Sequence, residues 1–169
     1  KIFGADGKQI LREEIIIDTN IKDASKDGFK HFMEKEIYEQ PKAIANAISG
    51  RTDGDVLDNI FGLGSSEAFK GVKRVQFVAC GTSLHAAKTA RKWFEELSET
   101  PCYIDFASEY RYRNPLVEDE TLFVCISQSG ETADTMAALN YAKEEKYLGI
   151  VTICNVPTST MARESDWKI

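Results

Sequence analysis

The sequence lacks any run approaching the roughly 18 to 20 apolar residues that cross a bilayer. Its opening, Lys1 and then a mixed polar stretch, lacks the layout of a secretory signal. Both absences set the expectation of a cytoplasmic chain with no membrane partner. An excess of cations is missing too: 21 Lys and Arg stand against 27 Asp and Glu, a net charge of −6. Nucleic-acid binders turn dense Lys/Arg surfaces to the phosphate backbone, so no nucleic-acid partner is expected. The single compact basic cluster, Arg111 and Arg113 interleaved with Tyr110 and Tyr112, reads as a solvated helix end, because two arginines cannot track a polyanion. The four cysteines, Cys80, Cys102, Cys125 and Cys154, form no CxxC pair, and each sits in or at the end of an apolar run. Zinc sites and redox dithiols need closer spacing, so buried free thiols are expected. Two histidines, His31 and His85, are too few and too isolated for a metal centre, and no metal or cofactor is expected.

What is present is an ordinary globular composition, 43% hydrophobic and 28% charged over 169 residues, enough for one domain with a full core. Up to about Asp27 no strong amphipathic period shows. Asp6-Gly7 marks a turn, and Glu13-Glu14-Ile15-Ile16-Ile17 is read as a short strand or an extended arm. The abrupt start, without an initiator methionine, reads as the tail of something upstream. From Phe29 to Ser49 apolar residues (Phe29, Phe32, Met33, Ile37, Ile44, Ala47, Ile48) recur at helical steps. Pro41 should divide two helices there or kink one. Arg51-Thr52-Asp53-Gly54-Asp55 is a loop by composition, and Val56 to Phe69 has room for one or two helical turns.

Strand and helix then alternate. Strands are expected at 74–79, 102–106, 121–126, 150–154 and from Trp167, with helices over 84–97, 107–112, 132–145 and 160–164. This alternation implies a parallel sheet with helices on both faces and right-handed crossovers. Such folds bind ligands at the carboxyl ends of their strands, where strand order reverses. The loops after the first, third and fourth of these strands are therefore the places to look for chemistry.

The third strand runs into Ser127-Gln128-Ser129-Gly130-Glu131-Thr132, three hydroxyls and an amide around a glycine, just before a helix. A helix start leaves backbone N–H groups unpaired and carries a partial positive charge, and a phosphate meets both needs. Ser127, Ser129 and Thr132 add hydroxyl donors, Gln128 an amide, and Gly130 lets the backbone approach closely. Ordinary capping needs one such residue, not four in six positions. Cys80-Gly81-Thr82-Ser83 makes a similar entry after the first strand, where the plain alternative is a turn capped by Ser83. Neither loop has the Gly-Lys-Ser/Thr of a P-loop, and GxGxxG is missing. A phosphate held by hydroxyls and amides alone fits a monophosphate bound without metal, and a sugar phosphate best. Cys80, near a helix start, is either activated there or a quiet structural thiol, and its apolar neighbours favour the second. His85, one turn into a helix, is read as a surface or packing residue. Glu131 should point away from the anion, at the first turn of its own helix.

The stretches 78–83, 108–113, 127–135, 153–157 and 163–166, with Glu36-Ile37-Tyr38-Glu39-Gln40-Pro41 upstream, resemble the glutamine–fructose-6-phosphate aminotransferases, which make glucosamine 6-phosphate. The resemblance runs from about residue 29 to the C-terminus. It implies a flavodoxin-like, three-layer α/β/α SIS (sugar isomerase) domain with a mainly parallel sheet, preceded by a helical segment. Residues 1–28 would be the linker or tail of an upstream glutaminase domain, and 29–169 the first SIS domain, cut short at its C-terminus. Thr82, Ser83, Ser127, Gln128, Ser129 and Thr132 would contact the sugar phosphate, chiefly its phosphate. The family's isomerisation residues lie beyond Ile169, so no catalytic residue is assigned. The full-length enzyme would be a homodimer and the fragment inactive. Two other roles stay open: a regulatory sugar-phosphate sensor, for which no helix-turn-helix is present in 1–27, and a dimerisation scaffold using Phe32, Met33 and Ile37.

Overall fold

A computed structural model describes residues 2–11, 25–53, 55–57 and 59–169, which fall into two compact units, Lys1–Ser49 and Gly50–Ile169. The segment Glu13–Ile17 lies outside the described residues.

The first unit opens with a hairpin of β1 (Ile2–Phe3) and β2 (Gln9–Ile10), paired antiparallel around the Asp6-Gly7 turn. It also holds α1 (Phe32–Ile48), which runs unbroken through Pro41 rather than dividing there. Proline removes one backbone bond, a local cost that a helix with a full turn or more on each side absorbs. Phe29 stacks on Tyr38 with ring centroids 5.5 Å apart. Lys35, buried on α1, donates to the Ser25 carbonyl at 2.7 Å and pairs with Asp27 at 2.9 Å and Glu39 at 3.5 Å. Phe32, Met33, Ile37, Ile44 and Ile48 are exposed.

The second unit begins with a hairpin of β3 (Thr52–Asp53) and β4 (Asp55–Val56), where composition had indicated only a loop. One short helix follows, α2 (Ser65–Phe69). Then come β5 (Arg74–Ala79), α3 (Gly81–Ser98), β6 (Cys102–Phe106), α4 (Ala107–Tyr110), β7 (Thr121–Ser127), α5 (Ala133–Glu144), β8 (Gly149–Cys154), α6 (Thr160–Glu164) and β9 (Trp167–Lys168). Five strands form one all-parallel sheet in the order β6-β5-β7-β8-β9. The chain moves outward from β5 to β6, then crosses back to β7 and continues the other way, so strand order reverses between β5 and β7.

Alternate residues of each strand feed two cores. Val75, Phe77, Leu122, Val124 and Val151 pack with Ala87 of α3 on one face. Val78, Phe123, Cys125 and Ile150 pack with Ala107, Tyr110, Ala138, Leu139, Ala142 and Met161 of α4, α5 and α6 on the other. Burial on both faces is why β7 reads as an almost continuous apolar run. Each fully buried large side chain contributes about 1.5 to 3 kcal/mol by leaving water. The sheet closes tightly at its β9 edge, where a Cβ on Gly149 would stand 2.3 Å from the Trp167 ring. Glycine is required there for close approach, not for backbone freedom.

Candidate phosphate-binding site

β5 and β7 are bonded neighbours, with Ala79 opposite Ile126 in register. The loops that follow them therefore leave adjacent parallel strands at their carboxyl ends, on the two sides of the strand-order reversal. Each loop opens a helix of three turns or more, and neither helix start is closed by its own side chains. Cys80 is the N-cap of α3 and Thr132 the N-cap of α5, and no side chain caps either. Thr82 and Ser83 lie inside the first turn of α3, because the helix begins at Gly81 and not at Leu84. The Leu84 N–H already reaches the Cys80 carbonyl at 3.4 Å, so Ser83 is not the cap.

The second loop is built from its own hydroxyls. Ser127 is buried at the end of β7, and its Oγ accepts the Gly130 N–H at 3.1 Å and shares a proton with Thr132 Oγ1 at 3.0 Å. Ser129 Oγ accepts the Glu131 N–H at 3.2 Å, which leaves its own proton to donate outward. The Ser127–Thr132 pair likewise uses one of its two protons internally and keeps one. Gln128 is exposed, and its carbonyl accepts from Asn155 N at 3.3 Å. Among the six residues singled out, Thr82 and Ser83 thus stand on one helix start and Ser127, Gln128, Ser129 and Thr132 around the neighbouring one.

Gly130 has φ +66°, and a Cβ on it would lie 2.1 Å from Ser159 Oγ. A side chain is excluded twice, by backbone conformation and by the loop after β8. Glu131 does not turn to the first turn of α5, where it was expected, but to the start of α6. Its carboxylate accepts the Thr160 N–H at the start of α6, at 2.6 Å. That bond, then the Thr160 hydroxyl and more weakly Arg163, hold the carboxyl below its ordinary value. This link was missed from the sequence, although the loop after the fourth parallel strand was a place to look.

Arg111 is the C-cap of α4 and Arg113 is exposed just beyond it, so the cluster does stand at a helix end, but both arginines are ion-paired there. Arg111 pairs with Asp134 in the first turn of α5 at 3.4 Å, and Arg113 with Asp105 of β6 at 2.6 Å. The Thr135 hydroxyl, buried in the same first turn as Asp134, has no hydrogen-bond partner. His85 lies exposed on α3, on the helix surface. All four cysteines are free: Cys102 and Cys125 are buried, and Cys80 and Cys154 half-buried. Burial pushes the Cys102 thiol up to about 11, and Cys125 is raised by the same cause. Among the described residues no cluster of His, Cys, Asp and Glu suits a metal, and no helix is long and apolar enough to cross a membrane.

Two clefts are lined by none of the loop residues. A polar one of about 400 Å³ follows the outer strand β6, between Arg91, Asp105, Arg113 and Glu118. An apolar one of about 360 Å³ lies on the α3 face, between Phe61, Phe69, Phe77 and Phe94.

The SIS domain family matches residues 68–169. Over 98% of its length the chain is 47% identical to the glutamine–fructose-6-phosphate aminotransferase (isomerizing) of Idiomarina loihiensis, of which it covers 27%. It is 48% identical, with the same coverages, to the protein of that name from Pseudomonas putida. Among solved structures, the C-terminal domain of glucosamine-fructose-6-phosphate aminotransferase from Francisella tularensis aligns with a TM-score of 0.82 at 49% identity. That alignment covers 85% of this chain and 41% of that one. The chain spans about a quarter of the length of the curated relatives it matches.

Proposed function

Because the chain belongs to the SIS domain family, we propose that its two strand-end loops hold the phosphate of a sugar phosphate, fructose 6-phosphate or glucosamine 6-phosphate. In this reading the chain is the first SIS domain of a glutamine–fructose-6-phosphate aminotransferase, which makes glucosamine 6-phosphate from fructose 6-phosphate and glutamine. The observation that carries it is the in-register pairing of β5 with β7, which sets two uncapped helix starts side by side.

The chemistry follows from the donors. Helix-start N–H groups and the positive ends of α3 and α5 attract an anion. The protons left on Ser129 and on the Ser127–Thr132 pair, with the hydroxyls of Thr82 and Ser83 and the Gln128 amide, point the binding toward phosphate oxygens. None of these six residues is a lysine, which suits a monophosphate that is gripped and not transferred. The names of the relatives, each an aminotransferase of fructose 6-phosphate, supply the sugar. By itself the chain binds and does not turn over, since ketose-to-aldose conversion needs a base beside the carbonyl carbon and the one carboxylate of these loops, Glu131, is taken up by the Thr160 N–H.

Isothermal titration with fructose 6-phosphate and, separately, fructose tests this. Saturable binding of the phosphate ester alone is expected, weakened about 10- to 100-fold in Ser129→Ala or Thr132→Ala, as for loss of a hydrogen bond to a charged group. A folded chain that ignores millimolar fructose 6-phosphate would sink the reading.

A further inference from the structure

We propose that Glu131 is a positioning residue of the phosphate loop, and that the start of α6 sets the affinity of the cradle through it; this rests on the phosphate reading above. Three successive N–H groups open α6, and all three are occupied. Thr160 N donates to the Glu131 carboxylate at 2.6 Å, Met161 N to the Gly130 carbonyl at 3.1 Å, and Ala162 N to Ser159 Oγ at 3.3 Å. Two of the three acceptors belong to the phosphate loop. A third bond, from Asn155 N to the Gln128 carbonyl, ties the same loop to the end of β8.

Three of the loop's acceptors, the Gln128 and Gly130 carbonyls and the Glu131 carboxylate, are taken by the segment 155–161. The Gly130 and Glu131 N–H groups are spent inside the loop on Ser127 and Ser129, and one proton each on Ser129 and on the Ser127–Thr132 pair remains for an anion. Any of those acceptors turned the other way would face an anion and repel it. Ser159 fixes the spacing as well, since it stands where a Cβ of residue 130 would be. Glu131 is the only member of the loop whose side chain reaches across to α6. Its negative charge, which next to a phosphate would oppose binding, is placed where it holds the cradle open.

The test uses the whole chain and fructose 6-phosphate. Glu131→Ala should bind about tenfold more weakly, the scale of a lost cap. Glu131→Gln, which keeps an acceptor oxygen, should restore most of that loss. Thr160→Pro removes the bond from the other partner. Proline is tolerated at the first position of a helix, and Ser159, at φ −62° and ψ 161°, already has the backbone that precedes a proline. It should weaken binding as Glu131→Ala does, while leaving the carboxylate in place. Amide hydrogen exchange without ligand should show the Thr160 N–H losing protection in Glu131→Ala and keeping it in Glu131→Gln. If wild-type chain binds and Glu131→Ala binds as tightly or more so, charge repulsion rules and this inference falls alone. If the wild-type chain binds no sugar phosphate, the functional reading falls and takes the inference with it.

Discussion

At the scale of single residues, Gly130 carries the sharpest constraint. Its φ of +66° disfavours any side chain, and Ser159 fills the space a Cβ needs. Gly130→Ala is expected to cost about 2 to 5 kcal/mol, summing left-handed strain and overpacking, read as a lowered urea midpoint at unchanged slope. Adding Ser159→Gly should return the packing share, less about a few tenths of a kcal/mol for the lost α6 cap, and leave the strain. An unchanged midpoint in the single variant would mean that the loop relaxes away from Ser159. The hydroxyls of this loop were legible in the sequence, because four polar groups beside a glycine at a helix start exceed what capping needs. The partner of Glu131 was not. Nothing in the spacing of residues 131 and 160 relates them, and they meet only because β7 and β8 pair with Ser127 opposite Cys154. The same holds for Arg111 and Asp134, on neighbouring elements with no shared period. The carboxylate also gives the loop a pH dependence. A carboxyl held below its ordinary value of 4.5 contributes stability that is complete above that value and disappears as pH falls through the lowered one.

Elements were read better than their junctions. β5, β6 and α6 match the expected residues at both ends, since each is a short apolar or capped run bounded by clear breaks. The two-residue hairpins β1/β2 and β3/β4 escaped, being too short to show any alternation. Of the two outcomes expected at Pro41, α1 excludes division, since it runs on through the proline. At position 41 there is no N–H to reach the Ile37 carbonyl, yet nine helical residues precede it and seven follow. Pro41→Ala should restore that bond and stabilise α1 by up to about 3 kcal/mol, raising amide protection in the turns around residue 41 by tenfold or more. Unchanged protection would show that neighbouring groups already satisfy the carbonyl.

For the whole molecule, the parallel sheet followed from alternation alone, whereas the strand order did not. Alternation fixes that strands are joined by crossovers, but not which way each crossover travels. That order has a consequence for how the second unit folds. Residue 122 pairs with 149 and 151 with 167, whereas 74 must find 121 across the whole of α3, β6 and α4. Closing the longer loop costs more chain entropy, so the half from β7 to β9 should assemble first and the β5–β7 seam last. The proposed cradle straddles that seam and can form only once it is shut. A ligand that bridges it can bind only after that last closure. In stopped-flow experiments fructose 6-phosphate should slow unfolding and leave the refolding rate unchanged. Faster refolding with ligand would place the seam in the folding nucleus. Seen as a timetable, the chain makes its scaffold early and its binding site at the final step.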